Sequence, residues 1–344
     1  MRMHFVGRDL KRHWPDLDGL NATAIDQHPE RFQGSFNNWI VQSFLQLRAP
    51  LAHAGFETSI SERLEPGTIN IAHGDTLDSM TFPYRDFYIV GIRADHAPLR
   101  MARWTIVQNM SSEAGLYTKY LPLWPQPGLI PRDGARGTRI HRIGYFGRTT
   151  SNPGWFEGDT LQAGLRRRGI EFEVNDKCWW DYSKVDLALA CRNDAPSILR
   201  TKPASKLIDA WRASVPALLG NEPAFADLRY SNLDYVPVRG ASDVLGTIDF
   251  LRENPKAYRA MVDNGAMRAS DFAVRAIQDR WLAFLRDRVV PDAMRFHGAG
   301  ATTDAPLWRS VVSLCRQKLA SRVFKTRGAL ERLPLHRANG MSPR

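Results

Sequence analysis

The chain has 344 residues, 43% of them hydrophobic, which is enough for two ordinary cores and excludes a disordered polymer. Lys and Arg number 47 against 36 Asp and Glu, a formal charge of +11 that favours an anionic partner: nucleic acid, an acidic membrane surface or a phosphate-bearing substrate. Cys178, Cys191 and Cys315 form no Cys-x-x-Cys pair and no zinc-spaced cluster, which excludes a disulfide framework and a zinc module. The opening residues lack the apolar stretch of a signal peptide, and no apolar run approaches the ~18 residues of a membrane span, so the expected compartment is the cytoplasm.

The first element is a helix beginning at Asn37, where Ile40, Phe44, Leu47 and Leu51 share one face behind a Gly34-Ser35-Phe36 turn. It ends at Ala54-Gly55, and short strands are expected over 56–60, 69–72, 87–92 and 104–108. Residues 121–139 hold four prolines and three glycines, a density that neither a helix nor a central strand accepts. An interdomain linker is placed there, over 126–139, with one domain over 1–125 and another over 140–290.

The second half alternates more clearly. Strands are predicted at 140–146, 170–174, 185–190, 216–219 and 235–238, with helices at 157–168, 205–213 and 223–229, then three helical stretches between 241 and 289. Strands alternating with helices give parallel sheets through right-handed crossovers, so a doubly wound α/β domain is expected, with a fainter copy in the first half. Residues 291–344 form an extension. Within it, 307–325 reads as a basic amphipathic helix with Leu307, Val311, Leu314, Leu319 and Val323 among Arg and Lys.

Open α/β sheets bind ligands beyond the carboxyl ends of their strands. Three loops of the second half belong there: 147–154, opening with Gly147 and Arg148; 192–203; and 220–222, closing with Glu222. The second enters a helix through Thr201-Lys202-Pro203-Ala204-Ser205-Lys206. A helix start offers unpaired N–H groups and a positive dipole end, which suit a diphosphate, and Lys202 and Lys206 add charge. Asp209, one turn on, is placed to accept ribose hydroxyls. The same residues also fit an ordinary solvated helix face.

The run from Lys202 to Gly220 resembles the donor-binding segment of GT-B glycosyltransferases of the group 1, family 4-like type. There a Glu, seven residues, Glu-Ala and then a Gly-x-Pro strand start recur. Asp209-Ala210 matches the second Glu-Ala and Pro216 falls seven residues beyond, while Thr201 replaces the first Glu and Ser214 the Gly. The resemblance implies two Rossmann-like, doubly wound domains facing each other across a cleft. It also implies a nucleotide-sugar co-substrate, ribose contact by Asp209 and diphosphate contact by Lys202, Ser205 and Lys206. The 37–54 helix with its glycine turn is similar to the first unit of that family's other lobe. A glycan or lipid-linked hydroxyl would be the acceptor.

Deprotonating an acceptor hydroxyl calls for a general base. His73 with Asp75, and His96 beside Asp95, follow first-half strands and are the candidates; Glu222 is either a sugar contact or a helix cap. No Asp-x-Asp pair ends a strand, so no metal and no further cofactor is expected. The basic C-terminal helix either packs across the lobes by its apolar face or touches an anionic membrane. A dinucleotide oxidoreductase is disfavoured by the lack of G-x-G-x-x-G, and nucleic-acid binding by the confinement of basic clustering to 307–337.

Overall fold

The computed structural model describes residues 1–33, 37–80, 87–148, 150, 152–298 and 307–332. Two sheets, each wholly parallel, form the frame. The first contains β1 (Arg2–Val6), β2 (Glu57–Ser61), β3 (Ile69–His73), β4 (Tyr88–Ile92), β5 (Trp104–Val107) and β6 (Thr118–Tyr120), in the order β2-β1-β3-β4-β5-β6. The second contains β7 (Arg142–Phe146), β8 (Glu171–Asn175), β9 (Leu187–Ala190), β10 (Ala217–Leu219) and β11 (Val236–Pro237), in the order β11-β10-β9-β7-β8. Both are Rossmann-like. In each, the chain moves one strand outward and then returns to the other side of the strand it began with, which creates a switch point between β1 and β3 and another between β7 and β9.

The inner strands β3 and β4 are buried along their whole length; β4 is an apolar run, whereas β3 also buries Asn70 and His73. β1 is just as central and likewise buries a polar residue, His4, whose ring nitrogens meet Ser59 Oγ at 2.8 Å and the Arg63 carbonyl oxygen at 2.8 Å. The expected helix lies at Asn37–His53, with Ile40, Phe44, Leu47 and Leu51 all buried in the first core. The Gly34-Ser35-Phe36 turn lies outside the described residues.

The far end of the chain crosses back. Ile277, Trp281, Phe284, Leu285, Val289 and Ala293 belong to the first core, although 274–290 was placed with the second domain. Asp292 clamps this crossing: its carboxylate accepts from Tyr88 Oη at 2.7 Å, Arg103 Nε at 2.9 Å and Trp104 Nε1 at 3.2 Å. Helical periodicity shows which face of a helix is buried but not against which core. The Pro/Gly-rich segment joins the two sheets: Trp124 stacks on Trp281 in the first core, and Arg132 is buried against Asp186 at the foot of β9.

The last helix, Leu307–Glu331, spans both halves, but not by its apolar face. Gln317 Nε2 and Ser321 Oγ donate to Asp78 Oδ1 in the first half, at 2.7 and 2.9 Å. In the second half Glu331 accepts from the Ser197 N–H at 2.8 Å. Leu319, Val323 and Leu330 stay exposed. Among the described residues no helix is long and apolar enough to cross a membrane.

Candidate functional site

Beyond the carboxyl ends of β7 and β9 a cavity of about 370 Å³ opens between the halves. Its second-half wall is Phe146, Gly147 and Arg148 from the end of β7, Arg192 after β9, and Lys202, Ser205, Lys206 and Asp209 around the start of the Ser205–Arg212 helix. Trp39, Gln42 and Asp95 face them from the first half. A larger hollow of about 720 Å³ flanks β6, but its Lys119 is paired with Glu113 and its Arg268 is held over the Tyr230 and Trp211 rings. It lacks the glycine turn and helix start on which phosphate recognition rests.

The expected donor residues therefore meet, with one exception. Gly147 turns the chain at φ 140°, and a Cβ there would lie 2.7 Å from Lys206 Nζ, so the turn and the lysine are fitted to each other. The Lys206 ammonium donates to the Phe146 carbonyl oxygen and sits 4.6 Å from the Tyr145 ring centre. Burial, reinforced by the nearby Arg192 charge, pushes its pKa down to about 7. Asp209 is nearly buried, accepts from the Gln126 N–H at 3.3 Å, and is raised to about 6 by burial, with Arg212 opposing. Lys202 reaches across the cleft to Asp95 Oδ2 at 2.7 Å.

Glu222 is the exception. It does not line the cavity but lies behind it, ion-paired with Arg192, with Oε1 buried and unpartnered. It occupies the N-cap position of the Pro223–Ala226 helix without a capping bond from its side chain. The strong attraction of the Arg192 guanidinium accounts for both departures. Thr149 and Ser151 of the first loop lie outside the described residues.

The first-half candidates also converge, one layer behind Trp39. His73 at the end of β3 is buried in edge-to-face contact with Trp39, their ring centres 5.4 Å apart. Its Nδ1 accepts from the Asp75 N–H at 3.2 Å and caps the Gly74–Ser79 helix. Asp75 Oδ1 meets His96 Nε2 at 3.0 Å, and Asp78 Oδ2 faces His96 Nδ1 at 3.7 Å. Burial opposes charge on His96, but the two carboxylates outweigh it and carry the imidazole up to about 9. Burial also opposes charge on Asp75, and the two imidazoles override it and hold the carboxyl well below the usual range.

This arrangement changes the expected roles. His96 stands as an imidazolium between carboxylates, with neither nitrogen free to take a proton. His73 Nδ1 lies 3.2 Å from the Asp75 N–H and 3.5 Å from Asp75 Oδ2, and its Nε2 is buried without a partner. One ligand atom from each of His73, Asp75 and His96 lies within 4.8 Å of the others, a spacing that a metal ion could also use.

Sequence reasoning missed Arg192, Trp39 and Gln42. Arg192 was legible from position, since it directly follows a buried strand at the carboxyl edge. Trp39 and Gln42 lie off the apolar stripe of their helix, and only the closing of one half on the other marks them.

No protein-family model and no curated protein matches the sequence. Among solved structures the chain is similar to sucrose-phosphate synthase from Thermosynechococcus elongatus, with 12% identity over 85% of this chain and 100% of that one and a TM-score of 0.53. It is similar also to AviGT4, a glycosyltransferase involved in avilamycin A biosynthesis, with 13% identity, 87% and 99% coverage and a TM-score of 0.51. The chain has the GT-B fold. Likeness to TarM is lower, with 8% identity, 72% of this chain covered and a TM-score of 0.47, and the chain spans 58% of TarM's length. In GT-B terms the cavity is the cleft between the two Rossmann-like halves.

Proposed function

We propose that this chain is a glycosyltransferase that takes a sugar from a nucleotide-sugar and passes it to a hydroxyl of a glycan or lipid-linked acceptor. The observation that carries the reading is the helix start at Ser205, which opens onto the cleft at the switch point with Lys206 and Arg192 beside it. In this reading the diphosphate lies on the first-turn N–H groups and against Arg148, Arg192 and Lys206, where the charge developing on the leaving group is met by fixed cations. Asp209 accepts from the ribose hydroxyls. Lys202 is drawn toward the diphosphate and releases Asp95, the carboxylate on the first-half wall of the cleft, to take the proton of the acceptor hydroxyl. The outward row of Leu319, Val323 and Leu330 among Arg316, Arg322 and Lys325 supports peripheral contact with an anionic membrane.

The test is a melting screen with UDP-, GDP-, ADP- and CMP-sugars on the wild type and Asp209→Asn. One nucleotide class should stabilise the wild type, and the variant should lose most of that shift. If no nucleotide stabilises the wild type, the reading fails.

A further inference from the structure

A second cavity, about 330 Å³, lies where the two halves and the last helix meet. Four arginines from three separate parts of the chain line it: Arg93 and Arg100 after β4, Arg200 beside the Pro196–Leu199 turn of helix, and Arg327 on the last helix. No lining residue is acidic. Arg327 is paired with Glu331 at 2.7 Å, but Arg93, Arg100 and Arg200 form no ion pair among the described residues. Ser112, Ser197 and Thr201 also line it, the Ser112 and Thr201 hydroxyls donating to the Arg200 and Ile198 carbonyl oxygens. Ser197 is only 8% exposed, and its hydroxyl makes no hydrogen bond.

We propose that this cavity is a binding site for a phosphate ester, separate from the donor cleft. Arg93, Arg100 and Arg200 have no carboxylate partner around an open, solvent-accessible hollow, Arg93 and Arg100 repel one another, and an anion with several acceptor oxygens would bind the three guanidinium groups together. Burial and the neighbouring Arg100 charge hold the Arg93 pKa below its ordinary value, in keeping with an uncompensated site. The Ser197 hydroxyl lies on this hollow beside the Glu331 carboxylate, which accepts from the Ser197 N–H. The fourth wall is apolar, formed by Pro98, Ala320 and Phe324, so the site accommodates a phosphate carried on an apolar stem as readily as a small phosphate. Because its walls come from both halves and the last helix, a bound phosphate ties the three together beside the cleft.

The experiment follows melting and binding in inorganic phosphate and glycerol phosphate, and flotation with phosphatidylcholine vesicles with and without phosphatidic acid. Arg100 and Arg200 are exposed, so the double reversal R100E/R200E should fold; R100Q/R200Q serves if it does not. K256E/R259E, the same charge change on an exposed face elsewhere, is the control. Phosphate should bind the wild type and the control alike, and ~10-fold or more weakly to the arginine variants. Ser197→Ala should show a smaller loss. Response to soluble phosphates assigns a small phosphorylated ligand, and response only to phosphatidic acid assigns a lipid headgroup; either supports the site. No response to any probe, or equal response in wild type and arginine variants, would overturn it. No nucleotide enters this test, so its failure is distinguishable from failure of the sugar-transfer reading.

Discussion

The two walls of the cleft solve opposite electrostatic problems. The first half brings Asp95 to its wall and, one layer behind, gathers Asp75 and Asp78 with His73 and His96, and nearly every charge there has a partner within the protein. The second-half wall gathers Arg148, Arg192, Lys202 and Lys206 with Asp194 and Asp209, and Lys206 is held by the Phe146 carbonyl oxygen and the Tyr145 ring rather than by a carboxylate. A wall that satisfies itself is built to hold shape and protons. A wall left with excess positive charge is built to receive an anion.

The comparison breaks most visibly at Asp75. Asp75→Asn removes the main carboxylate partner of His96 and should cost about 3 kcal/mol in urea unfolding near neutral pH. The pH dependence follows from direction: His96 is raised from 6.5 to about 9, so its contribution is complete below 6.5 and fades as pH rises through about 9. Asp75 is lowered, so its own share is lost only in acid. The variant should therefore lose the alkaline slope of stability between those values; an unchanged slope would mean that the cluster is not coupled as described.

Lys206→Ala comes next. It should weaken nucleoside diphosphate binding by about 2 kcal/mol, ~30-fold, and leave nucleoside binding nearly unchanged. Equal losses for both ligands, measured by titration, would place the lysine away from phosphate. Gly147→Ala should cost about 1 kcal/mol in thermal melting, from a backbone angle that a side chain resists, and should displace Lys206 from the Phe146 carbonyl. The smallest effect is expected at the bridge between walls. Lys202→Met should lower stability by about half a kcal/mol, since that pair is partly solvated, and a cycle with Asp95→Asn measures the coupling.

Much of this was readable in advance, for physical reasons that differ by region. The Asn37–His53 helix and the Ser205–Arg212 helix announce themselves because their buried residues recur at helical spacing. The donor wall was readable because loops after parallel strands share one edge of a sheet. The return of 274–293 to the first core could not be seen because periodicity carries no address. The last helix misled in the opposite sense: Val311, Leu319 and Leu330 face out while Gln317 and Ser321 pack, satisfied by Asp78. The four-arginine cavity joins residues from 93 to 327 and has no local pattern at all.

The most direct test is a calorimetric titration of the nucleoside diphosphate selected by the melting screen, in buffers of different ionisation enthalpy, below and above the Lys206 value of about 7. Binding should draw in close to one proton on the alkaline side, little on the acid side, and none in Lys206→Ala, with affinity falling as pH rises above about 7. Binding with no proton uptake at any pH, or no nucleotide binding at all, would contradict the claim that this helix end holds the diphosphate.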